Sequence, residues 1–279
     1  MTIPTSSPRT IPILLYHSVS AAPADWIAPL AVTPTTFAHH LDVIVSRGHT
    51  GLTVSHLRDA LRGRTPWPER PVVVTFDDGF ADFADAAEQL IARRLPSTLY
   101  VTTGALRGRG SPAPELRLPP AHMLSWSQLA ELTQRGVEIG AHTHTHPQLD
   151  VLPAGLAAQE IRRGKDLLED ELGREVPSFA YPYGFHRDSV RRSVRMAGYT
   201  SACAVKNALS SPPDDQFALA RLTIRADTDT ARLQAWLAGR QARIAPYPEK
   251  MTTRAWRLYR RTGGWRGKRL PNATNATRS

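Results

Sequence analysis

Cysteine is nearly absent: Cys203 is the only one in 279 residues. A single thiol excludes an internal disulfide framework and any cysteine-based zinc cage. It lies in Ser201-Ala-Cys-Ala-Val205, which reads as a buried strand, so Cys203 is expected to pack as a small inert hydrophobe. Long apolar runs are missing too. No stretch approaches roughly 18 consecutive apolar residues, which argues against a membrane-spanning helix. The start, Met1 to Arg9, is short and polar and lacks the basic-then-apolar layout of a secretory signal, so the expected location is cytoplasmic. No internal repeat is visible.

Basic charge is also scarce over most of the chain. The formal net charge is +10, but residues 246–279 hold nine Lys/Arg against the single acid Glu249. That stretch carries +8 and leaves +2 for residues 1–245. The chain therefore divides into a short N-terminus (1–9), a nearly neutral body (10–245) and a basic tail (246–279). The tail reads as a solvated extension or as an interfacial helix on anionic lipid, which would bring peripheral membrane contact. Nucleic acid is a poor fit, because a nucleic-acid enzyme spreads basic residues around its groove.

The whole chain is 41% apolar, enough for a sizeable core. In the body, short β-like runs alternate with amphipathic helical stretches. Ile11–Tyr16, Pro71–Phe76, Thr98–Thr102, Val137–Ala141, Ser178–Tyr181, Thr200–Val205 and Leu219–Ile224 read as strands. Helices are expected over Val54–Leu61, Ala81–Arg94, Ser127–Arg135, Pro153–Leu172, Asp188–Ala197 and Thr230–Ala238, with another from Thr33-Pro-Thr-Thr to Gly48. Such alternation predicts an α/β fold with a parallel sheet and helices outside it. About seven strands suit a barrel or a doubly wound sheet. His17, Asp77, Asp78, His142 and Tyr183 all follow strand-like runs. Reactive groups gather at the C-terminal strand ends of a parallel barrel, so the expectation is a distorted (β/α) barrel. The Gly/Pro/Arg-rich stretch Gly104–His122 leaves the same face, as a surface loop or as a lid over a substrate.

Two segments carry the chemistry. In Val72-Val-Val-Thr-Phe-Asp-Asp-Gly79 an apolar strand delivers two adjacent carboxylates and a glycine turn. Neighbouring side chains on extended backbone diverge, so one acid can bind a metal while the other accepts a proton. In Glu138-Ile-Gly-Ala-His-Thr-His-Thr-His-Pro147 three histidines stand at alternate positions, which packing does not explain. Imidazoles with a carboxylate suit zinc and similar ions and leave coordination positions open. Which two or three of His142, His144 and His146 bind stays open at this level.

Thr75-Phe-Asp-Asp-Gly79, His142-Thr-His-Thr-His146 and Phe179-Ala-Tyr-Pro-Tyr-Gly184 resemble, in order and spacing, the motifs of the polysaccharide deacetylase family, also called the NodB-homology family or carbohydrate esterase family 4. The similarity covers roughly residues 10–230 and extends to Pro12–Ser18, Ser125–Leu129, Glu138–Gly140 and Ala197–Tyr199. It implies a distorted barrel of about seven strands and hydrolysis of an N-acetyl group on an amino sugar, glycan or glycoconjugate. It implies Asp77 as catalytic base, and Asp78, His142 and His146 as ligands of a divalent metal. Zinc is the default, with cobalt or nickel compatible. His144 falls on a spacer position, and the backbone N–H of Tyr183 would help hold the oxyanion.

The chain departs from the family pattern twice. Ala180 stands where an Arg usually braces the base, and Arg221 in Ala220-Arg-Leu-Thr-Ile224 is the expected substitute. The usual late Leu-x-His motif is absent, since no histidine follows His186. Instead His17 follows the first strand, as in a rearranged branch of the family, and is expected to protonate the leaving amine. The remaining histidines and Trp126 read as packing or surface residues, with His186 near a rim. Two rival functions stay open: a metal amidohydrolase acting on a small non-sugar amide or glycosylated metabolite, and an inactive glycan-binding relative.

Overall fold

The structure, a computed structural model, describes residues 9–108 and 112–248. The expectations for the first eight residues and for the basic tail from residue 249 lie outside them.

The first half runs β1 (Ile13–Tyr16), β2 (Ser18–Val19), β3 (Ala31–Val32), α1 (Pro34–Ser46), β4 (Thr50–Leu52), α2 (Val54–Leu61), β5 (Pro71–Phe76), α3 (Phe83–Ala92) and β6 (Ser97–Val101). The second half runs α4 (Trp126–Gln134), β7 (Glu138–Ala141), α5 (Ala154–Leu172), β8 (Ser178–Ala180), α6 (Asp188–Met196), β9 (Ser201–Cys203), β10 (Ala208–Leu209), β11 (Leu222–Thr223), α7 (Thr230–Leu237) and β12 (Arg243–Ile244). Several helices start where the sequence offers a side chain to an unpaired helical N–H. Thr33 accepts from Thr36 N at 3.1 Å ahead of Pro34, and Asp229 accepts from Arg232 N at 2.7 Å. Ser125 and Gln128 satisfy each other's backbone at the start of α4.

Seven strands form one parallel path, β11-β1-β5-β6-β7-β8-β9, and β4 pairs with the start of β5. Leu219 closes the path. Its N–H donates to Ala202 O and its carbonyl accepts Ala204 N–H, both at 2.9 Å, opposite Cys203 on β9. The result is a distorted barrel. The sequence predicts one strand over Leu219–Ile224; the chain instead pairs Leu219 with β9 and Leu222–Thr223 with β1. A barrel corner needs such a switch of partners, and local β propensity does not reveal it. The two-residue strands β2, β3, β10 and β12 likewise have no sequence signal, being shorter than a pattern needs.

Alternation along each strand sorts the core into two layers. On β5, Val72, Val74 and Phe76 join the cluster beneath the helices. Val73 faces the barrel interior with Ile13, Tyr100, Ala180 and Cys203. Val54 and Leu57 of α2 belong to that interior cluster, and Val54 N donates to Thr98 Oγ1 near the start of β6, so α2 covers the N-terminal end. At the opposite end, Tyr16, Phe37, Phe76 and Phe83 pack ring against ring with centroids 4.8 to 5.7 Å apart. Tyr16 and Phe76 are the last residues of β1 and β5, so this aromatic cluster anchors the two strands from which His17 and Asp77 emerge. Phe76→Ala is expected to cost about 3–5 kcal/mol by transfer and cavity effects.

Cys203 is buried, Trp126 packs in the core, and His40 is buried with Nδ1 3.0 Å from Tyr16 Oη. Among the described residues no helix is long and apolar enough to cross a membrane.

Candidate metal centre and active site

Val73, Thr75 and Asp77 share the inward side of β5 by the period of two. Asp77 lies just past the strand end, its N–H held by Tyr16 O at 3.1 Å. Asp78 would then turn outward, but its backbone is left-handed, with φ 74°. That kink brings the second carboxylate round to the same site as the first. Gly79 follows at φ 91°, a conformation that suits glycine.

His142 follows β7, and His146 ends the next turn of chain. His142 Nε2 is 3.5 Å from Asp78 Oδ1, and His146 Nε2 is 3.2 Å from the same oxygen. One ligand atom from each of Asp78, His142 and His146 lies within 4.8 Å of the others, and all three residues are buried. A zinc-like ion bonds such atoms at about 2.0–2.2 Å, so tetrahedral partners around it stand roughly 3.2–3.6 Å apart. The two distances to Asp78 fit that requirement. Two further observations agree with a cation there. Asp78 Oδ1 is buried without a hydrogen bond. His142 Nδ1 donates to Ala180 O at 2.8 Å, which turns Nε2, with its lone pair, toward Asp78. Burial lowers the His142 imidazole to about 4 despite the opposing pull of Asp77, so it is neutral and free to ligate near pH 7. Burial alone would raise the Asp78 carboxyl; His146, His142 and His17 outweigh it and hold the group below the usual carboxylate range.

His144 turns elsewhere, with Nδ1 2.9 Å from Thr103 Oγ1. Its place among three alternating histidines is thus explained by a buried hydrogen bond.

Asp77 meets Arg221, which is level with Ile13 because Leu222 pairs with Leu14. The long side chain rises through the barrel past Thr75 Oγ1, 3.3 Å away, to Asp77. Burial would raise the Asp77 carboxyl, but Arg221, then His142 and His17, hold it below its ordinary value. Position 180 itself is filled by a buried alanine whose carbonyl serves His142.

His17 follows β1 and is partly exposed, with Nδ1 buried and lacking a hydrogen bond. Burial lowers its imidazole, while Asp78 and Asp77 pull it back up. The next residues are pinned by an acid that the sequence does not mark as special. Asp82 Oδ2 accepts from Ser18 Oγ at 2.5 Å and from Val19 N at 3.2 Å. Read locally, Asp82 is only an acid ahead of a helix.

Tyr183 has φ 60°, and its ring meets the His146 ring at 4.8 Å, edge to face. Burial, then Asp78, push its phenol up to about 12, so it stays protonated. His186 stacks on Tyr181 at 4.7 Å and is partly exposed.

The Gly/Pro/Arg-rich stretch, of which residues 109–111 are outside the described set, packs against the histidine loop. Gly104 N donates to His144 O and Arg117 N to Thr145 O, each at 2.8 Å. Leu118 is buried with Ile27, Phe80, Ala105 and Met123.

Comparison with known proteins agrees with this arrangement. The family model described as polysaccharide deacetylase matches residues 64–202, a span that includes Asp77, Asp78, His142, His146 and Tyr183. This chain belongs to the polysaccharide deacetylase family. Among members, YxkH of Bacillus subtilis strain 168 is 24% identical over 80% of this chain and 74% of its own length. The poly-β-1,6-N-acetyl-D-glucosamine N-deacetylase of Staphylococcus epidermidis is 22% identical over 61% of this chain and 60% of that enzyme. The structure of the Streptococcus pyogenes deacetylase PplD in complex with acetate aligns with a TM-score of 0.71 at 25% identity, covering 81% of this chain and 97% of that one. His17 and Arg221 of this polysaccharide deacetylase lie outside the matched segment.

Proposed function

We propose that this protein removes the acetyl group from the nitrogen of an amino sugar within a polysaccharide or glycoconjugate, using a divalent metal held by Asp78, His142 and His146. The observation that carries the reading is the convergence of those three ligand atoms beside a second carboxylate, Asp77, that Arg221 keeps ionised. The substrate class is supported by the S. epidermidis relative, a poly-β-1,6-N-acetyl-D-glucosamine N-deacetylase. The near-neutral charge of residues 1–245 suits a neutral acetamido group.

A bound divalent ion, zinc by default and cobalt or nickel by the same donor set, supplies Lewis acidity toward water and the acetamido carbonyl. Asp77 is the base. Its Oδ2 is 3.8 Å from His142 Nε2, the side facing the ligand cluster, and takes the proton of the attacking water. As charge builds on the acetyl oxygen, the Tyr183 backbone N–H donates to it, a contribution that is strong where water is excluded. His17 passes a proton to the departing nitrogen; burial lowers its imidazole in the resting protein, and Asp78 and Asp77 draw it back toward the protonated form. Water and amide are consumed, and acetate and free amine leave.

The test is acetate release from poly-β-1,6-N-acetylglucosamine oligomers and chito-oligosaccharides by the full chain, metal-free and after loading with Zn²⁺ or Co²⁺. Release that tracks metal loading supports the reading. A folded, metal-loaded protein that frees no acetate from these or from small N-acetyl sugars overturns it.

A further inference from the structure

The loop bearing the two histidine ligands has an unusual backbone. Thr143 and His146 are both left-handed, at φ 69° and 61°. A β-branched threonine and an ordinary side chain each disfavour that region, so something outside the loop must hold it. Helix α5 supplies the hold. Glu160 Oε2 accepts the backbone N–H of His144 at 3.0 Å and of Thr145 at 2.8 Å. Its other oxygen, Oε1, accepts the Thr145 hydroxyl at 2.9 Å. Within the loop, His146 N donates to Thr143 Oγ1 at 3.0 Å.

One helical turn on, Gly164 shares the face of Glu160. A Cβ there would lie 3.2 Å from Thr143 C and 3.3 Å from Thr143 O. The glycine therefore lets α5 come close enough for Glu160 to span the loop. Both features sit on a helix that otherwise reads as an ordinary amphipathic cover.

We infer that Glu160 is a positioning residue of the metal centre: its carboxylate, seated on three donors of the 143–146 turn, sets the direction in which His146 faces Asp78 and His142. The inference rests on the metal-centre reading above. Its physical content is reach rather than charge. The turn's groups must be met by two polar atoms, at least one an acceptor, at the end of a side chain of this length. Glutamine meets them nearly as well: its carbonyl oxygen takes the two N–H groups, and its amide donates to the Thr145 hydroxyl, which can also accept. Aspartate keeps the charge but falls short by about one C–C bond, roughly 1.5 Å.

The experiment titrates metal-free full-length protein with Zn²⁺ and Co²⁺ against a chromogenic chelator. It records the visible spectrum of the Co²⁺ form and the thermal midpoint of the metal-free form. The variants are Glu160→Gln, Glu160→Asp and Glu160→Ala, with His146→Ala as the control that removes a ligand. Glu160→Gln is expected to keep most of the affinity and the wild-type Co²⁺ spectrum. Glu160→Asp and Glu160→Ala are expected to weaken binding by about 10- to 100-fold and to alter the spectrum, the range seen when partners behind metal ligands are removed. Should Glu160→Ala fail to fold, the Asp and Gln variants decide. Wild-type affinity in Glu160→Asp overturns the inference, as does a loss confined to the metal-free thermal midpoint. If wild-type protein and His146→Ala bind these ions equally, the metal-centre reading itself fails, whatever the Glu160 variants do.

Discussion

Arg221 and Asp77, 144 residues apart in sequence, meet as a two-pronged ion pair inside the barrel, Nη1 to Oδ1 at 2.7 Å and Nη2 to Oδ2 at 2.8 Å. Arg221 is 0% exposed and Asp77 3%. The guanidinium also donates through Nε to Ala204 O at 3.1 Å and lies 5.6 Å from the centroid of the Tyr100 ring. Taking both charges out of water is costly, and apolar residues of similar volume would often be as stable. The base role proposed for Asp77, which needs an ionised and aimed carboxylate, would give such a pair its use.

Removing one partner of this pair is therefore expected to be severe. Arg221→Met should destabilise the fold by about 3–5 kcal/mol, because it leaves a carboxylate buried and unpaired. Arg221→Lys keeps the charge but loses the bidentate fork, so turnover should fall further than stability does. Urea unfolding and acetate release on the two variants check this. Equal stability of Arg221→Met and wild type would contradict it.

Metal removal should abolish turnover and lower the unfolding midpoint, and added Zn²⁺ or Co²⁺ should restore both. At a free metal concentration of about 100 times Kd the native state should gain about 2.7 kcal/mol. His142→Ala and His146→Ala should lose that gain. Asp77→Asn should keep it while losing turnover, since Asp77 is assigned to the proton and not to the ion. Differential scanning calorimetry with and without metal separates the two classes.

His17→Ala should retain metal content yet slow deacetylation by about 10²- to 10⁴-fold, the usual worth of a positioned acid. A 4-nitrophenyl acetate leaving group needs no proton, so the same variant should hydrolyse that ester almost as fast as wild type. An equal loss on both substrates would point to a structural role for His17.

The metal-free protein should lose stability in mild acid. His142 is lowered by burial from 6.5 to about 4, so above about pH 6.5 it is neutral in both folded and unfolded chains and costs nothing. As the pH falls below that, the unfolded chain takes up a proton that the folded one refuses. The resulting loss, spread between about pH 6.5 and 4, amounts to about 3 kcal/mol. His17 and His40, also lowered by desolvation, act in the same direction. Urea melts at pH 7 and pH 5 measure the slope, and His142→Ala should make it shallower.

What the sequence by itself determined is local. Alternation of apolar residues, helix caps such as Thr33 and Ser125, and glycine stops mark most elements of the fold, because they act over a few residues. The two acids after one strand and the histidine cluster after another stand out as candidate ligands and base for the same reason. Tertiary structure decided the rest. The left-handed turn at Asp78 that gathers both carboxylates, the closure of the barrel at Leu219, and the reach of Arg221 to Asp77 each appear only in the folded chain. Glu160 is the sharpest case. In sequence it is one more acid on an amphipathic helix, and only the packing of α5 against the histidine turn distinguishes it. Local preferences are set by neighbours along the chain, whereas the aim of a buried side chain is set by atoms that only folding brings beside it, 15 residues away for Glu160 and Thr145 and 144 for Arg221 and Asp77.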